Sequence, residues 1–276
     1  MFKVGLMCST LGVSRSGYYR WRKGEISSRA QENIELTEVI KAIHKKSRKT
    51  YGSPRIHREL MNRGIRCSKN RAARLMRRSG VRAKMSRHFK VTTRRDDTHQ
   101  AAPNLLQQNF YVDRPNAVWV ADITYIHTLE GFLYLATVMD LCSRKIVGWA
   151  MASHMKTSLV LAALRMAVRT RRPKAGLIHH SDRGSVYTSK AYQDELTKYG
   201  MKCSMSAKGD CYDNAVQESF YHTLKTECVN HERFMTRAEA RSVIFDFIEV
   251  FYNRERMHST LGYLSPEDFE QAKLAA

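Results

Sequence analysis

The spacing of apolar residues changes character near residue 117. Before that point they recur at helical intervals among basic residues. Thr10 to Trp21 reads as the end of one helix, a tight turn at Gly12 and a second helix capped by Ser14. A clearer pair follows. Ser53-Pro54 supplies an N-cap and a first-turn proline, Ile56 and Leu60 stand at i and i+4, and Gly64 ends the helix. Ser68 then caps a helix through Arg78 that Gly80 closes, with Ala72, Leu75 and Met76 on one side and Arg71, Arg74, Arg77 and Arg78 on the other. Beyond residue 117 the period shortens. Ala117 to Ile126, Gly131 to Met139 and Lys145 to Met151 are rich in β-formers and closely spaced, which predicts three consecutive antiparallel strands. Ser158 to Arg169 returns to helical spacing, Ala175 to Ser181 and Met201 to Ser204 read as short strands, and Ser189 to Tyr199 lies between them as a helix. The last helix read from the pattern runs from Asn214 to Cys228, with Val216, Phe220 and Leu224 as its core stripe and Glu218 and Lys225 on the opposite face.

Strands followed by alternating helices and strands predict an α/β core, a mixed sheet with helices packed on it, preceded by all-α helix-turn-helix modules. The expected division is a helix-turn-helix segment at 1–35, a second basic module at 36–95, a linker rich in Asp, Asn, Gln and Pro at 96–116, and the core at 117–276.

Charge follows the same boundary. The chain of 276 residues carries a formal net charge of +21. Residues 1–100 hold 26 Lys and Arg against 7 Asp and Glu, a balance of +19, whereas residues 101–276 hold 21 against 19, a balance of +2. Arginines crowded on one helix face repel one another, so an anionic partner is their natural relief. A basic lobe gains affinity for DNA by releasing counterions. Arg15 and Arg20 fall on the helix that would enter a groove, and Arg71, Arg74 and Arg78 on the second basic helix. No run of 18 apolar residues predicts a membrane span, and the first eight residues are too soon polar for a signal peptide. The six cysteines form no CxxC pair, which reads as reduced thiols in a cytoplasmic protein.

Three carboxylates carry the candidate chemistry. Asp122 lies inside the first strand, where a buried acid needs a partner or a metal. Asp182 follows a strand end, and Glu218, separated from it by 35 residues, falls on the last helix. Carboxylates are the hard ligands that Mg²⁺ takes, and divalent ions activate the oxygen nucleophile in phosphodiester chemistry. Zinc at His179, His180 and Cys203 or Cys211 is a weak alternative, because adjacent residues of a strand point to opposite faces. Asp213 reads as a helix cap, Asn214 equally as a helix start or a substrate contact, and Trp119 and Tyr125 as core aromatics in preference to base-stacking platforms.

The strings Trp119 to Tyr125, His180 to Tyr187 and Asp213 to Phe220 resemble the DDE signature of retroviral-like integrases. With Lys225 seven residues after the acid, and with Tyr252 to His258 leading to Leu261-Gly262-Tyr263-Leu264-Ser265-Pro266, the match is to the second-frame, OrfB-type transposases of insertion sequence family 3. Tyr51 to Met76 is similar to the helix-turn-helix module before the integrase core in that family. The resemblance implies an RNase H-like core in which Asp122, Asp182 and Glu218 bind two Mg²⁺ or Mn²⁺ ions. It implies cutting at the ends of a mobile element, end-to-end joining, and integration of a circular intermediate. It also implies Lys225 on terminal DNA and His258 near the site. The partners it implies are terminal inverted repeats and target DNA, other copies of the chain in a homo-oligomer on DNA, and an upstream-frame protein or fusion, with no membrane. A chain that begins close to its helix-turn-helix and lacks a sustained heptad fits the shorter second-frame product. The rivals are an RNase H-type nuclease acting on hybrids and a DNA-binding regulator with a decayed core. Intact acids at all three positions argue against the second.

Overall fold

The computed structural model describes residues 3–24, 26–84, 102–106, 110–206 and 215–275. The chain divides into two compact units, Met1–Ala83 and Lys84–Ala276.

The first unit is all helical: α1 (Val4–Thr10), α2 (Arg15–Lys23), α3 (Ser28–Lys46), α4 (Ser53–Asn62) and α5 (Lys69–Arg78). Ser14 and Ser68 cap their helices as expected, each hydroxyl accepting the amide three residues on, from Gly17 and Arg71. Gly12, Gly64 and Gly80 have positive φ, the left-handed turn that ends a helix. One cap differs. Gly52 stands at the N-cap of α4 and Ser53 is already helical, so the proline, not a serine side chain, marks the start. The sequence reading passes over α3, the 19-residue helix whose Leu36, Ile40 and Ile43 pack with Ile56 and Leu60 of α4 and with Ala72, Leu75 and Met76 of α5 to make this unit's core.

The second unit is built on one five-stranded sheet: β1 (Val118–Thr128), β2 (Gly131–Asp140), β3 (Ile146–Ala152), β4 (Ile178–Ser181) and β5 (Lys202–Met205), in the order β3-β2-β1-β4-β5. The first three pair antiparallel, as expected, while β1–β4 and β4–β5 are parallel. The alternation of β1 decides what lies on each side. Val118, Val120 and Ile126 face one core with α9 (Ala215–Glu227), α10 (Arg237–Asp246) and a π-helical stretch (Phe247–Glu255). Trp119 and Ala121 face the other with α6 (Thr157–Arg171) and α8 (Lys190–Lys198), and a short turn of helix, α7 (Ser185–Thr188), adds Tyr187 to it.

Two devices fix the helices to the sheet. Within the π-helical stretch, Asn253 accepts from the amide of Ile146 and donates to its carbonyl, both at 3.0 Å, so one side chain satisfies the open backbone at the start of edge strand β3. The second device is ionic. Arg171 at the end of α6 forks onto Glu270 of α11 (Pro266–Ala275) at 2.6 and 2.7 Å, and Glu270 also accepts from Ser143 in the β2–β3 turn. Where described, the stretch read as a linker is packed: Leu106 is buried in the α9-side core, and Phe110 and Val112 lie against it.

Among the described glycines, Gly148 of β3 is the one packed closest against a neighbouring backbone. A Cβ there would collide with the Ala163 carbonyl oxygen and lie 2.7 Å from the Ala167 methyl on α6. Gly148→Ala is therefore expected to push α6 off the sheet and destabilise the fold by roughly 1–3 kcal/mol. Urea unfolding followed by circular dichroism measures this, and an unchanged midpoint would rule it out.

Candidate active site

The site begins with strand register. β1 and β4 pair with a constant offset, Val118 with Ile178, Trp119 with His179 and Val120 with His180. Carried two residues further, that offset brings Asp182 alongside Asp122. The ladder stops short of them because β4 ends at Ser181. There the Asp182 carboxylate turns back to accept the Gly184 amide at 2.9 Å. A side chain at Gly184 would press on that carboxylate at 2.9 Å, so the glycine keeps the turn open.

The Asp122 carbonyl points toward β2, and α9 adds a side-chain donor to it. The Tyr221 hydroxyl donates to the Asp122 carbonyl at 2.5 Å and lies 2.8 Å from the Thr137 hydroxyl on β2. Gln217, one turn back on α9, also donates to Thr137. Thr137 is the register partner of Asp122, so α9 is bonded to two adjacent strands at one point. Burial, with Asp122 as the next cause, holds the Tyr221 phenol well above its ordinary pKa, so it stays a donor.

This anchor turns the other face of α9 outward. Asp122, Glu218 and Lys225 line one cavity of about 960 Å³ between β1 and α9. Lys225 is half-buried, and its ammonium lies over the Tyr125 ring, 5.1 Å from the centroid. Burial lowers its pKa and Asp122 opposes that shift. Tyr187 stands beneath. Its buried hydroxyl has no hydrogen-bond partner, and its pKa is raised by burial first, then by neighbours that include Asp122 and Asp182.

The remaining sequence candidates divide as follows. Arg15, Arg20, Arg74 and Arg78 are exposed on the helical unit. Arg71 is not on the open basic face: it is tied to Glu32 at 3.0 Å and to Asn33 at 2.9 Å. His258 does not line the cavity; it meets Thr260 at 3.0 Å and stacks edge-on to Tyr252. His179 and His180 are buried and engaged elsewhere, His179 with the Tyr192 hydroxyl and His180 with Ser204 and Ser206. Trp119 is core, as expected, but Tyr125 is not: it is 47% exposed on the cavity wall. Cys211, Asp213 and Asn214 lie outside the described residues. Sequence reasoning missed Gln217, Tyr221 and Thr137. Their signal was present, since polar side chains at 217 and 221 flank the stripe Val216, Phe220 and Leu224 and face inward beside it.

Comparison with known proteins identifies the assembly. An integrase core domain model matches residues 112–211, a second integrase core domain model matches 218–274, and a helix-turn-helix-like domain model matches 30–89. The chain is 44% identical to the transposase InsF of insertion sequence IS3A from Escherichia coli strain K12, over 99% of its own length and 96% of the relative's. The chain is a transposase of insertion sequence family 3. It is also 49% identical to a 31 kDa protein of insertion element IS600 from Shigella sonnei, over 96% of this chain and 97% of that protein. Among solved structures it is similar to the intasome of simian T-cell lymphotropic virus determined with a PP2A regulatory subunit (TM-score 0.50, 15% identity, 78% of this chain and 70% of that one), which supports a retroviral integrase-like, RNase H-like fold.

The transposase thus binds DNA and catalyses DNA cleavage and strand transfer, and its integrase-like core implies dependence on a divalent metal. The donors suit such an ion in kind, since carboxylate oxygens are hard ligands and two of them come from adjacent strands. Among the described residues, however, no three His, Cys, Asp or Glu side chains stand close enough together to hold one. No helix among the described residues is long and apolar enough to cross a membrane.

His179 gives this unit a measurable acid sensitivity. Burial first, then His180, pushes its pKa down to about 3, from 6.5. Between those values the unfolded chain binds a proton that the folded one does not, so stability is lost as pH falls through that window. His179→Gln keeps a partner for Tyr192 without the titration. Urea midpoints from pH 7 to 5 are expected to fall less steeply in this variant than in the parent, and parallel slopes would exclude His179 as the cause.

Proposed function

We propose that Asp122, Asp182 and Glu218 are the catalytic carboxylates of this transposase and together hold two Mg²⁺ or Mn²⁺ ions. The observation that carries the reading is the tie between Tyr221 and the Asp122 carbonyl, which turns the Glu218 and Lys225 face of α9 toward the strand bearing Asp122, around one cavity. Bound between such oxygens, divalent ions lower the pKa of a water and stabilise the leaving oxygen of an in-line displacement.

The chain's own residues do the rest. Asp122 supplies negative charge from within β1, Asp182 from just past the end of β4, and Glu218 from across the cavity. Lys225 neutralises part of this charge and offers an ammonium to a DNA phosphate. In cleavage a water oxygen bonds to phosphorus, the bond from phosphorus to the 3′ oxygen breaks, and that oxygen takes up a proton. In strand transfer the freed 3′-hydroxyl repeats the attack on another phosphodiester, and no bond to the protein is needed.

The exposed arginines Arg15, Arg20, Arg74 and Arg78 are the proposed DNA contacts of the helical modules. Arg71 is assigned to orienting α5 through Glu32 and Asn33, with its DNA role secondary, and His258 to shaping the turn after the π-helical stretch. We further propose terminal inverted repeats and a target as the DNA substrates, a homo-oligomer on DNA, an upstream-frame protein or fusion as partner, and nucleoid association when bound. We also propose a functional division into segments 1–35, 36–95, 96–116 and 117–276, with α3 running through the first boundary and the two compact units parting at Ala83.

Asp122→Asn, Asp182→Asn and Glu218→Gln each remove one negative charge at nearly constant shape. Each is expected to lower cleavage of a terminal-repeat duplex in Mg²⁺ by roughly a thousandfold or more, the scale of losing a main electrostatic contact to the transition state. Binding of the same duplex, followed by mobility shift, should persist. Cleavage at the parental rate by any of the three would remove that residue from the site.

A further inference from the structure

β1 outruns its parallel neighbour. It pairs with β2 along its whole length, but its contact with β4 covers only Val118 to Val120, so from Ala121 onward one edge faces the cavity. The outer face of this stretch is aromatic and uncovered. Tyr125 is 47% and Phe132 46% exposed, their rings meet edge-on at 5.2 Å, and the exposed His127 ring lies 5.7 Å from Phe132. Exposed rings beside an acid site are not explained by packing, because Tyr125 belongs to neither core cluster.

We propose that Tyr125 is a stacking platform for one unpaired nucleobase of the DNA strand being cut, seated in the cavity between β1 and α9. Lys225, Arg233 and His222 line the same cavity as Tyr125 and offer contacts to the phosphates on either side of the base, while the acids Asp122, Glu218 and Glu232 share the lining and leave the ring as the feature that suits a base. The ring's present neighbour fits the same reading. An ammonium over an exposed ring is a weak contact, and it is weaker than a base stacked on that ring together with the ammonium on a phosphate. DNA entry would therefore exchange Lys225 from the ring to a phosphate and leave the ring face to the base. A flush duplex keeps its bases stacked on one another, so the platform discriminates in favour of a frayed or single-stranded end.

This inference rests on the cavity being the active site, but its test does not need the carboxylates to act. The full-length chain is titrated, in EDTA, into a 20-base-pair duplex carrying a three-nucleotide 3′ overhang with 2-aminopurine at its centre, and into the flush duplex. The parent is expected to bind the overhang probe roughly tenfold more tightly and to quench its fluorescence. Tyr125→Ala should bring the ratio of affinities to about one and abolish the quench, whereas Tyr125→Phe should retain both. Thermal melts of the two variants separate a lost platform from a lost fold. An equal affinity of the parent for both probes, or a quench that survives Tyr125→Ala, overturns the proposal. Loss of cleavage in the carboxylate variants bears only on the catalytic assignment.

Discussion

The site depends on one backbone carbonyl, that of Asp122, onto which α9 places a phenol. The carbonyl points toward β2, where Thr137 is the register partner of Asp122. Tyr221 donates to it, and because the same phenol meets Thr137 while Gln217 meets Thr137 from one turn earlier, the helix is fixed in rotation as well as position. The strand that carries Asp122 thus also carries the acceptor that orients the helix bearing Glu218. Lys225, one turn beyond Tyr221, is aimed by the same bond.

Much of this was legible in the sequence because the period of the pattern was unambiguous. The three antiparallel strands and the α9 stripe follow from runs of β-formers and from apolar residues four apart, and Ser14 and Ser68 cap their helices through local chemistry that no distant contact overrides. What escaped depends on where other elements stop. Alternation assigns Tyr125 to the same side of β1 as Trp119 and Ala121, and that side is core for the earlier two; among the described residues the core does not reach far enough along the strand to cover the third. The inward polar residues of α9 were missed for a related reason. A stripe rule counts apolar positions and passes over Gln217 and Tyr221, whose hydrogen bonds go to strands 80 or more residues away in sequence. Arg71 reads like its neighbours until α3 brings Glu32 and Asn33 against it, and α3 itself mixes exposed Ile34 with buried Ile40, which blurs its period.

The charge distribution completes the division of labour. The first hundred residues hold nearly all the net positive charge, and the exposed arginines of α2 and α5 turn it outward. A long-range attraction of this kind grips any duplex and falls steeply with salt. The core adds little net charge, so its acids are not swamped by surrounding cations. Its local cations stand on the cavity wall instead, where Lys225 and Arg233 act at short range.

The open half of β1 carries a cost outside catalysis. An unpaired strand edge next to exposed aromatic rings is a template on which a second chain can add a strand, the usual starting point for aggregation. Natural sheets guard such edges with charge, and here α9 and the loop after it supply Lys225, Arg233 and Glu232 along the opening. The residues proposed to meet DNA therefore also place charge along an edge on which a second chain could otherwise add a strand. A change that made this cavity greasier to improve its grip on bases would be paid in solubility first.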